Sequence, residues 1–95
     1  MKSRINRPDR TDKEKQSLLK IGHNIRAARQ RIGYSQEEFA DIAKFSRSYY
    51  TEIETGKRNV SILNIIKIIE ALKANPNEII GSFKPKRGTN GIDRI

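Results

Sequence analysis

Apolar residues recur along the chain at steps of three and four, the spacing that places side chains on one face of a helix. The first such stripe predicts helix one over residues 18–32. Its members are Leu18, Ile21, Ile25, Ala28 and Ile32. Gly33 then stands where a left-handed residue commonly ends a helix. Ser35 and Glu38 have the spacing of a capping box, so a second helix is predicted over residues 36–43.

Two further helices are predicted in the middle of the chain. Ser46 is placed to cap a third helix, which ends at Gly56. Its inward residues are predicted to be Tyr49, Tyr50 and Ile53. Residues 57–61 carry no periodic pattern and are predicted to form a loop. The apolar stripe of a fourth helix is formed by Ile62, Ile65, Ile69 and Leu72, with Ile68 beside it.

A short fifth helix is indicated by Asn75 as its N-cap, Pro76 at the first helical position and Gly81 as its terminator. No stretch of useful length alternates between apolar and polar residues with period two, so no strand is predicted. The fold class is therefore predicted to be all-α.

The length of 95 residues allows one small domain with tails. We expect a basic, flexible arm over residues 1–17, a folded domain over 18–81 and a basic, flexible tail over 82–95. The net charge is +9, and basic residues outnumber acidic ones by six to three, ten to seven and four to one in these segments. This excess of positive charge predicts a polyanion or an anionic membrane surface as the partner.

Several chemistries are excluded by the residues that the chain lacks. It has no cysteine and a single histidine, His23, so we expect neither a disulfide, a metal site nor any other cofactor. No set of residues could act as nucleophile and base, so an enzyme is not expected. No apolar run approaches the roughly 20 residues that span a bilayer, and residues 1–17 lack the apolar stretch of a signal peptide. The protein is therefore predicted to be cytoplasmic.

Residues 36–53 have the layout of a helix-turn-helix, in which one helix braces a second that enters the major groove of DNA. Ala40 falls where the two helices cross most closely, which requires a small side chain. The wedge between the helices is expected to be filled by Phe39, Ala43, Tyr50 and Ile53. The pattern thus favours double-stranded DNA as the polyanion.

Over residues 21–80 the chain resembles the Cro/repressor (XRE-type) helix-turn-helix family. The pieces that carry the resemblance are IGHNIRAARQRIGYSQEEFADIA, SRSYYTEIETGKRNVSILNIIKIIEAL and NPNEII. The segment FSRSYYTEIETGKRN further resembles the recognition segment of controller proteins from restriction-modification systems. The resemblance implies a compact, five-helix, lambda-repressor-like domain. Two residues depart from the family pattern: Lys44 replaces a common turn glycine, and Tyr50 replaces a branched aliphatic residue.

Positions on the third helix predict which residues read bases. Arg47 is the first candidate, because an arginine in the first turn of such a helix can bind guanine through two hydrogen bonds. The other candidates for base contacts are Ser46, Ser48, Thr51 and Glu52. Two alternatives stay open: Ser46 could serve only as a cap, and Glu52 could be solvated or orient an arginine.

A second set of residues is predicted to contact the phosphates of DNA. These residues are Gln36, Tyr49, Lys57, Arg58 and Asn59. Tyr49 could instead belong to the core, and Gln36 could be an ordinary exposed residue of a first turn. The arginines of helix one, Arg26, Arg29 and Arg31, are expected to cover a solvated face.

The fourth and fifth helices carry apolar residues beyond those needed for the core. Leu63, Ile66, Ile79 and Ile80 are predicted to form a self-complementary patch for a homodimer. The alternative is a somewhat wider core. A dimer would place two third helices about 34 Å apart on a pseudo-palindromic operator.

These residues together predict a sequence-specific transcriptional regulator, with a restriction-modification controller as one form of it. An XRE-type antitoxin or a phage-type repressor fits the same residues. A non-specific nucleic-acid-binding module, dominated by the basic arms, is the alternative from another class. Whether the arms follow DNA, and whether RNA polymerase is contacted, stays open.

Overall fold

The computed structural model describes residues 9–81, which form five α-helices without a strand. In chain order they are α1 (Asp12–Ile32), α2 (Gln36–Ala43), α3 (Arg47–Glu54), α4 (Ile62–Leu72) and α5 (Pro76–Ile80). The predicted all-α fold is confirmed. The C-terminal tail and residues 1–8 of the predicted N-terminal arm lie outside the described residues.

Helix α1 begins six residues before the Leu18 with which its predicted stripe starts. Thr11 and Glu14 form a capping box: the Thr11 hydroxyl accepts from the Glu14 N–H at 3.1 Å, and the Glu14 carboxylate accepts from the Thr11 N–H at 2.9 Å. These two bonds satisfy N–H groups that a helix start otherwise leaves without partners. Residues 12–17, which the sequence analysis assigned to the basic arm, are therefore helical.

Helices α1 and α2 end at the residues that the sequence predicted. Gly33 ends α1 with a φ of 101°, and Lys44 ends α2 with a φ of 66°. The left-handed backbone at Lys44 costs an L-residue about 1 kcal/mol or more relative to glycine. Its N–H donates to the carbonyls at the end of α2, and the Phe45 N–H donates to the Ala40 oxygen at 2.9 Å. These bonds hold the turn closed although glycine is absent.

The core lies between the five helices: α1 packs against α3, α4 and α5, and α2 packs against α3 and α4. It is formed by Ile25, Ala28, Phe39, Ala40, Ala43, Tyr50, Ile53, Ile65, Ile68, Leu72 and Ile79. The Phe39 and Tyr50 rings are tilted against each other with 5.3 Å between their centroids. The predicted wedge between α2 and α3 is thus present.

Two predictions about the apolar residues of α4 and α5 are wrong. Ile62 was predicted to be in the core but is 64% exposed. It lies about 120° around the helix from the buried Ile68, because each residue of an α-helix advances by about 100°. Ile79 was assigned to a dimer patch but is 0% exposed, because α5 packs against α1 and buries it. Its side chain therefore stabilises the monomer and is not available to a second copy.

Gly22 permits the close approach of α1 and α3. A Cβ atom at this position would lie 2.5 Å from the backbone oxygens of both Ile53 and Glu54. Only a residue without a side chain lets the two backbones meet at this distance. The contact fixes the end of α3 against α1, and with it the direction in which α3 leaves the core.

Candidate nucleic-acid interface

The start of α3 is fixed by Ser46 and by the turn before it. The Ser46 hydroxyl accepts from the Tyr49 N–H at 3.1 Å, which is the bond of an N-cap. The predicted capping role of Ser46 is therefore confirmed. Because the cap and the Lys44 turn are both closed, the first turn of α3 leaves the core in one defined direction.

Arg47 and Ser48 are exposed in this first turn. The Arg47 Nη1 lies 3.6 Å from the Glu37 Oε1 of α2, and both side chains face solvent. Exposed pairs of this kind contribute at most about 1 kcal/mol. The Arg47 guanidinium is thus held loosely above the junction of α2 and α3 and is free to change its partner.

Gln36 and Thr51, which the sequence analysis assigned to phosphate and base contacts, bind each other. The Thr51 hydroxyl donates to the Gln36 Oε1 at 3.2 Å, and the Gln36 Nε2 donates to the Glu54 Oε1 at 2.9 Å. An amide nitrogen carries two hydrogens, so one donor of Gln36 remains after this bond. The bonds fix the orientation of the Gln36 amide at the first position of α2.

Glu54 is the centre of a buried polar network that consists of Arg29, Gln36, Tyr50 and Glu54. The Arg29 Nε and Nη2 donate to the two Glu54 oxygens at 2.6 and 3.1 Å, and the Tyr50 hydroxyl donates to Glu54 Oε2. The Arg29 and Glu54 side chains are only 8% and 1% exposed. The network ties α1, α2 and α3 together beneath the exposed residues of α3.

The network shifts the protonation of its members. Burial acts to raise the pKa of Glu54, but the hydrogen bonds from Arg29, Tyr50 and Gln36 outweigh it and hold the pKa below the ordinary value. Burial, together with the Glu54 carboxylate, raises the pKa of Tyr50 well above its ordinary value. The hydrogen bond to Glu54 raises the pKa of Arg29. Glu54 is therefore an anion and Tyr50 a neutral donor near neutral pH.

The sequence analysis missed this network, and its prediction that Arg29 covers a solvated face is wrong. Arg29 follows Ile25 by four residues and is adjacent to Ala28, so it continues the buried face of α1. Glu54 likewise follows the buried Tyr50 by four residues. A basic and an acidic residue on two buried faces were the available signal, because charges enter a core almost only in pairs.

A second cluster joins the end of α3 to the loop after it. We call it the Arg58 cluster, and it consists of Tyr49, Glu52, Arg58 and Asn64. The Arg58 Nε and Nη2 both donate to the Glu52 Oε1, at 3.0 and 2.7 Å. The Arg58 guanidinium carbon lies 5.2 Å from the centre of the Tyr49 ring, and the Tyr49 hydroxyl accepts from the Asn64 Nδ2 at 2.8 Å. Tyr49 is half-buried. Glu52 orients Arg58, which is one of the alternatives that the sequence left open for it.

The remaining predicted residues are dispersed around these two clusters. Lys57 and Asn59 are exposed in the loop that follows α3. Arg47 and Gln36 both lie on the α2–α3 unit, and the loop with Lys57 and Asn59 follows the other end of α3. Within residues 9–81 no group of three metal-ligating side chains occurs. No helix among the same residues is long and apolar enough to cross a membrane.

Apolar side chains are exposed along α4 and at the end of α5. Leu63 is 70% exposed, and Ile62, Ile66 and Ile80 are exposed as well. We call these four residues the α4 patch. The predicted patch residues Leu63, Ile66 and Ile80 are therefore accessible, whereas Ile79 is not.

A helix-turn-helix family model matches residues 25–79, more than half of the chain. The chain belongs to the XRE-type helix-turn-helix family of DNA-binding proteins. It is a transcriptional regulator whose residues of α2 and α3 form the motif of that family. The resemblance on which the sequence analysis relied is thus confirmed.

Named relatives narrow the similarity within this family. Control protein C.MunI of Mycoplasma sp is 34% identical over 67 residues, which cover 70% of this chain and 90% of the relative. Control protein C.BamHI of Bacillus amyloliquefaciens is 38% identical over 63 residues, with 65% and 78% covered. The crystal structure of the restriction-modification controller protein C.AhdI from Aeromonas hydrophila is similar with a TM-score of 0.64. That match is 41% identical and covers 67% of this chain and 97% of the neighbour.

Proposed function

We propose that this regulator is the controller protein of a restriction-modification system and acts in the cytoplasm as a homodimer on a pseudo-palindromic operator. The observation that carries the proposal is the exposed first turn of α3, in which Arg47 and Ser48 stand above a buried network that fixes the helix. The similarity of this chain to C.MunI, C.BamHI and C.AhdI supports the controller role. In this proposal the protein acts by binding DNA and not as an enzyme.

Base readout is assigned to the exposed side of α3. The Arg47 guanidinium would leave Glu37 and bind the O6 and N7 atoms of a guanine, a pairing worth about 1–3 kcal/mol of discrimination. Ser48 lies beside it in the same turn. Thr51 would act mainly through Gln36, because its hydroxyl donates to the Gln36 amide. Ser46 serves as the cap of the helix.

Phosphate contacts are assigned to residues on both sides of α3. The free Nε2 hydrogen of Gln36 and the N–H groups at the start of α2 would bind one phosphate, since a helix start attracts anions. Lys57, Arg58 and Asn59 would bind the backbone beyond the other end of α3. Tyr49 holds the Arg58 side chain over its ring, and its hydroxyl keeps a hydrogen that can be donated to a phosphate.

The α4 patch is the surface that would join two copies. Its four side chains are large and apolar, and a two-fold axis through them would bury the patch of one copy against the same patch of the second copy. The two α3 helices would then lie about 34 Å apart and face two half-sites of one operator.

Selection from a pool of randomised duplexes tests the proposed function. The wild-type chain is expected to enrich a two-fold-symmetric site and to bind it about 10³-fold or more tightly than scrambled DNA. If no site emerges and all duplexes bind alike with a steep salt dependence, the protein is a non-specific electrostatic module.

Leu63→Lys tests the dimer surface. Light scattering at increasing protein concentration should show a dimer for the wild type and a monomer for this variant, because a charge on the axis would be opposed by its copy. Ile42→Lys is the matched control, since Ile42 is exposed on α2 and outside the α4 patch. If the dimer survives Leu63→Lys but not Ile42→Lys, the interface lies on α2 and not on the α4 patch, and the proposed dimer surface is wrong.

A further inference from the structure

We propose that Glu52 attenuates operator binding, because it holds Arg58 in an ion pair that has to be broken before Arg58 binds a phosphate. The inference rests on the proposed function and deepens it, because it assigns to Glu52 a part that is neither base contact nor simple solvation. The partner involved is the phosphate backbone of double-stranded DNA.

The geometry of the Arg58 cluster carries the proposal. Arg58 directs its Nε and Nη2 at a single oxygen of Glu52, at 3.0 and 2.7 Å. The Tyr49 ring holds the guanidinium from one side at 5.2 Å, and Asn64 fixes the Tyr49 hydroxyl. Arg58, which lies in the loop after α3, is therefore bound to the Glu52 carboxylate of α3 itself.

The pair is positioned so that a phosphate can displace it. The Arg58 and Glu52 side chains are 50% and 41% exposed, so neither charge is locked in the core as Arg29 and Glu54 are. Exposed ion pairs are weak because water screens them. A phosphate oxygen at hydrogen-bond distance is a competitive partner for Arg58, whereas a phosphate several ångströms away is not.

This difference separates specific from non-specific complexes. When α3 lies in register with its operator, the loop that carries Arg58 is pressed against one phosphate, and the arginine exchanges Glu52 for it. On DNA of unrelated sequence the protein slides without close docking, so Arg58 stays paired with the Glu52 carboxylate. The pair then contributes no net charge to binding. Because only the operator complex breaks the ion pair, Glu52 lowers affinity for the operator more than affinity for unrelated DNA.

Glu52→Gln tests the proposal on the enriched operator, with scrambled duplex for comparison. Glutamine keeps the size and an acceptor oxygen but removes the charge that neutralises Arg58. The pair is exposed, so breaking it costs at most about fivefold in affinity, and Glu52→Gln should bind the enriched operator up to about fivefold more tightly than the wild type. Affinity for scrambled duplex should rise less, because the wild type keeps the pair intact there.

Asp41→Asn is the charge-matched control. Asp41 is exposed on α2 and has no ion pair among residues 9–81. Its removal changes the net charge by the same amount but frees no arginine, so affinity for either duplex should change by less than about twofold in a screened field. Unfolding midpoints measured for both variants show that the comparison is made on folded protein.

Arg58→Ala separates release of Arg58 from direct repulsion between Glu52 and DNA. In this background Glu52→Gln removes the same negative charge, but no arginine remains to be freed. We expect its gain on the operator to fall below about twofold. Additive effects of the two changes would overturn the proposal.

Other outcomes overturn it equally clearly. If Glu52→Gln weakens operator binding and leaves scrambled DNA unchanged, Glu52 reads a base. If Asp41→Asn gives the same gain, the effect is one of net charge alone. Failure of the proposed function would show differently, as the absence of any enriched site for the wild type.

Discussion

Glu54→Gln is the substitution that the buried polar network makes most informative. It leaves the shape of the side chain intact but removes the anion that faces Arg29. The Arg29 side chain is 8% exposed. In the variant it would keep its hydrogen bond to the Tyr34 carbonyl, at 2.6 Å, but would have no anion beside it. The new amide also brings two donors toward a site that already receives the donors of Arg29, Gln36 and Tyr50.

The expected loss follows from these contacts. Removing one partner of a buried ion pair costs about 3–5 kcal/mol, because the other charge stays buried without compensation. A domain the size of residues 9–81 has a total free energy of unfolding of about 4–11 kcal/mol, at roughly 0.05–0.15 kcal/mol per residue. Glu54→Gln should therefore remove a large share of the stability and leave a marginal fold.

Urea unfolding followed by circular dichroism measures this loss near neutral pH. Arg31→Gln is the control, since Arg31 pairs with Glu78 at 2.5 Å in solvent-exposed positions and its loss should cost no more than about 1 kcal/mol. If Glu54→Gln costs no more than Arg31→Gln, the buried network does not hold the helices together, and the reasoning is refuted.

The same variant has a pH signature with a defined sign. The pKa of Glu54 in the folded protein lies below its ordinary value of 4.5, so its contribution is complete above that value. The contribution is lost as the pH falls through the lowered folded pKa. The stability difference between wild type and Glu54→Gln should therefore shrink on acidification, and a constant difference would contradict this assignment.

Three further substitutions test the fold. Gly22→Ala should destabilise by about 1–3 kcal/mol despite its better helix propensity, because its Cβ would meet two backbone oxygens at 2.5 Å; a higher melting temperature would contradict this. Lys44→Gly should stabilise by up to about 1 kcal/mol in urea unfolding, because it relieves a left-handed residue, and a loss would show that the turn is unstrained. Tyr50→Phe should cost about 1.5–3 kcal/mol in the same assay through the lost bond to Glu54, whereas an unchanged midpoint would argue against that bond.

The helix ends could be predicted from the sequence because their signals are local. The Ser35 box, the Ser46 cap and the Asn75 box each lie within four residues of the helix start that they fix. The start of α1 also has a local signal in Thr11 and Glu14, but residues 12–17 contain no apolar residue, so the apolar stripe alone places the start at Leu18.

The polar contacts of the site could not be predicted in the same way. Arg29 and Glu54 are 25 residues apart, and their pairing depends on how closely α1 approaches α3 at Gly22. The roles of Glu52 and Arg58 depend on the path of the loop between α3 and α4. The sequence analysis predicted DNA contacts for both residues, but only the folded chain shows that they bind each other.

The central claim is that α3 reads bases through Arg47. The most direct measurement compares wild type with Arg47→Ala on the enriched operator and on scrambled duplex, with Arg26→Ala as a control that removes an exposed arginine from α1. Arg47→Ala should lose about 1–3 kcal/mol on the operator and far less on scrambled DNA, while Arg26→Ala affects both duplexes slightly and alike. An equal loss of Arg47→Ala on both duplexes, or no loss on either, would contradict the claim.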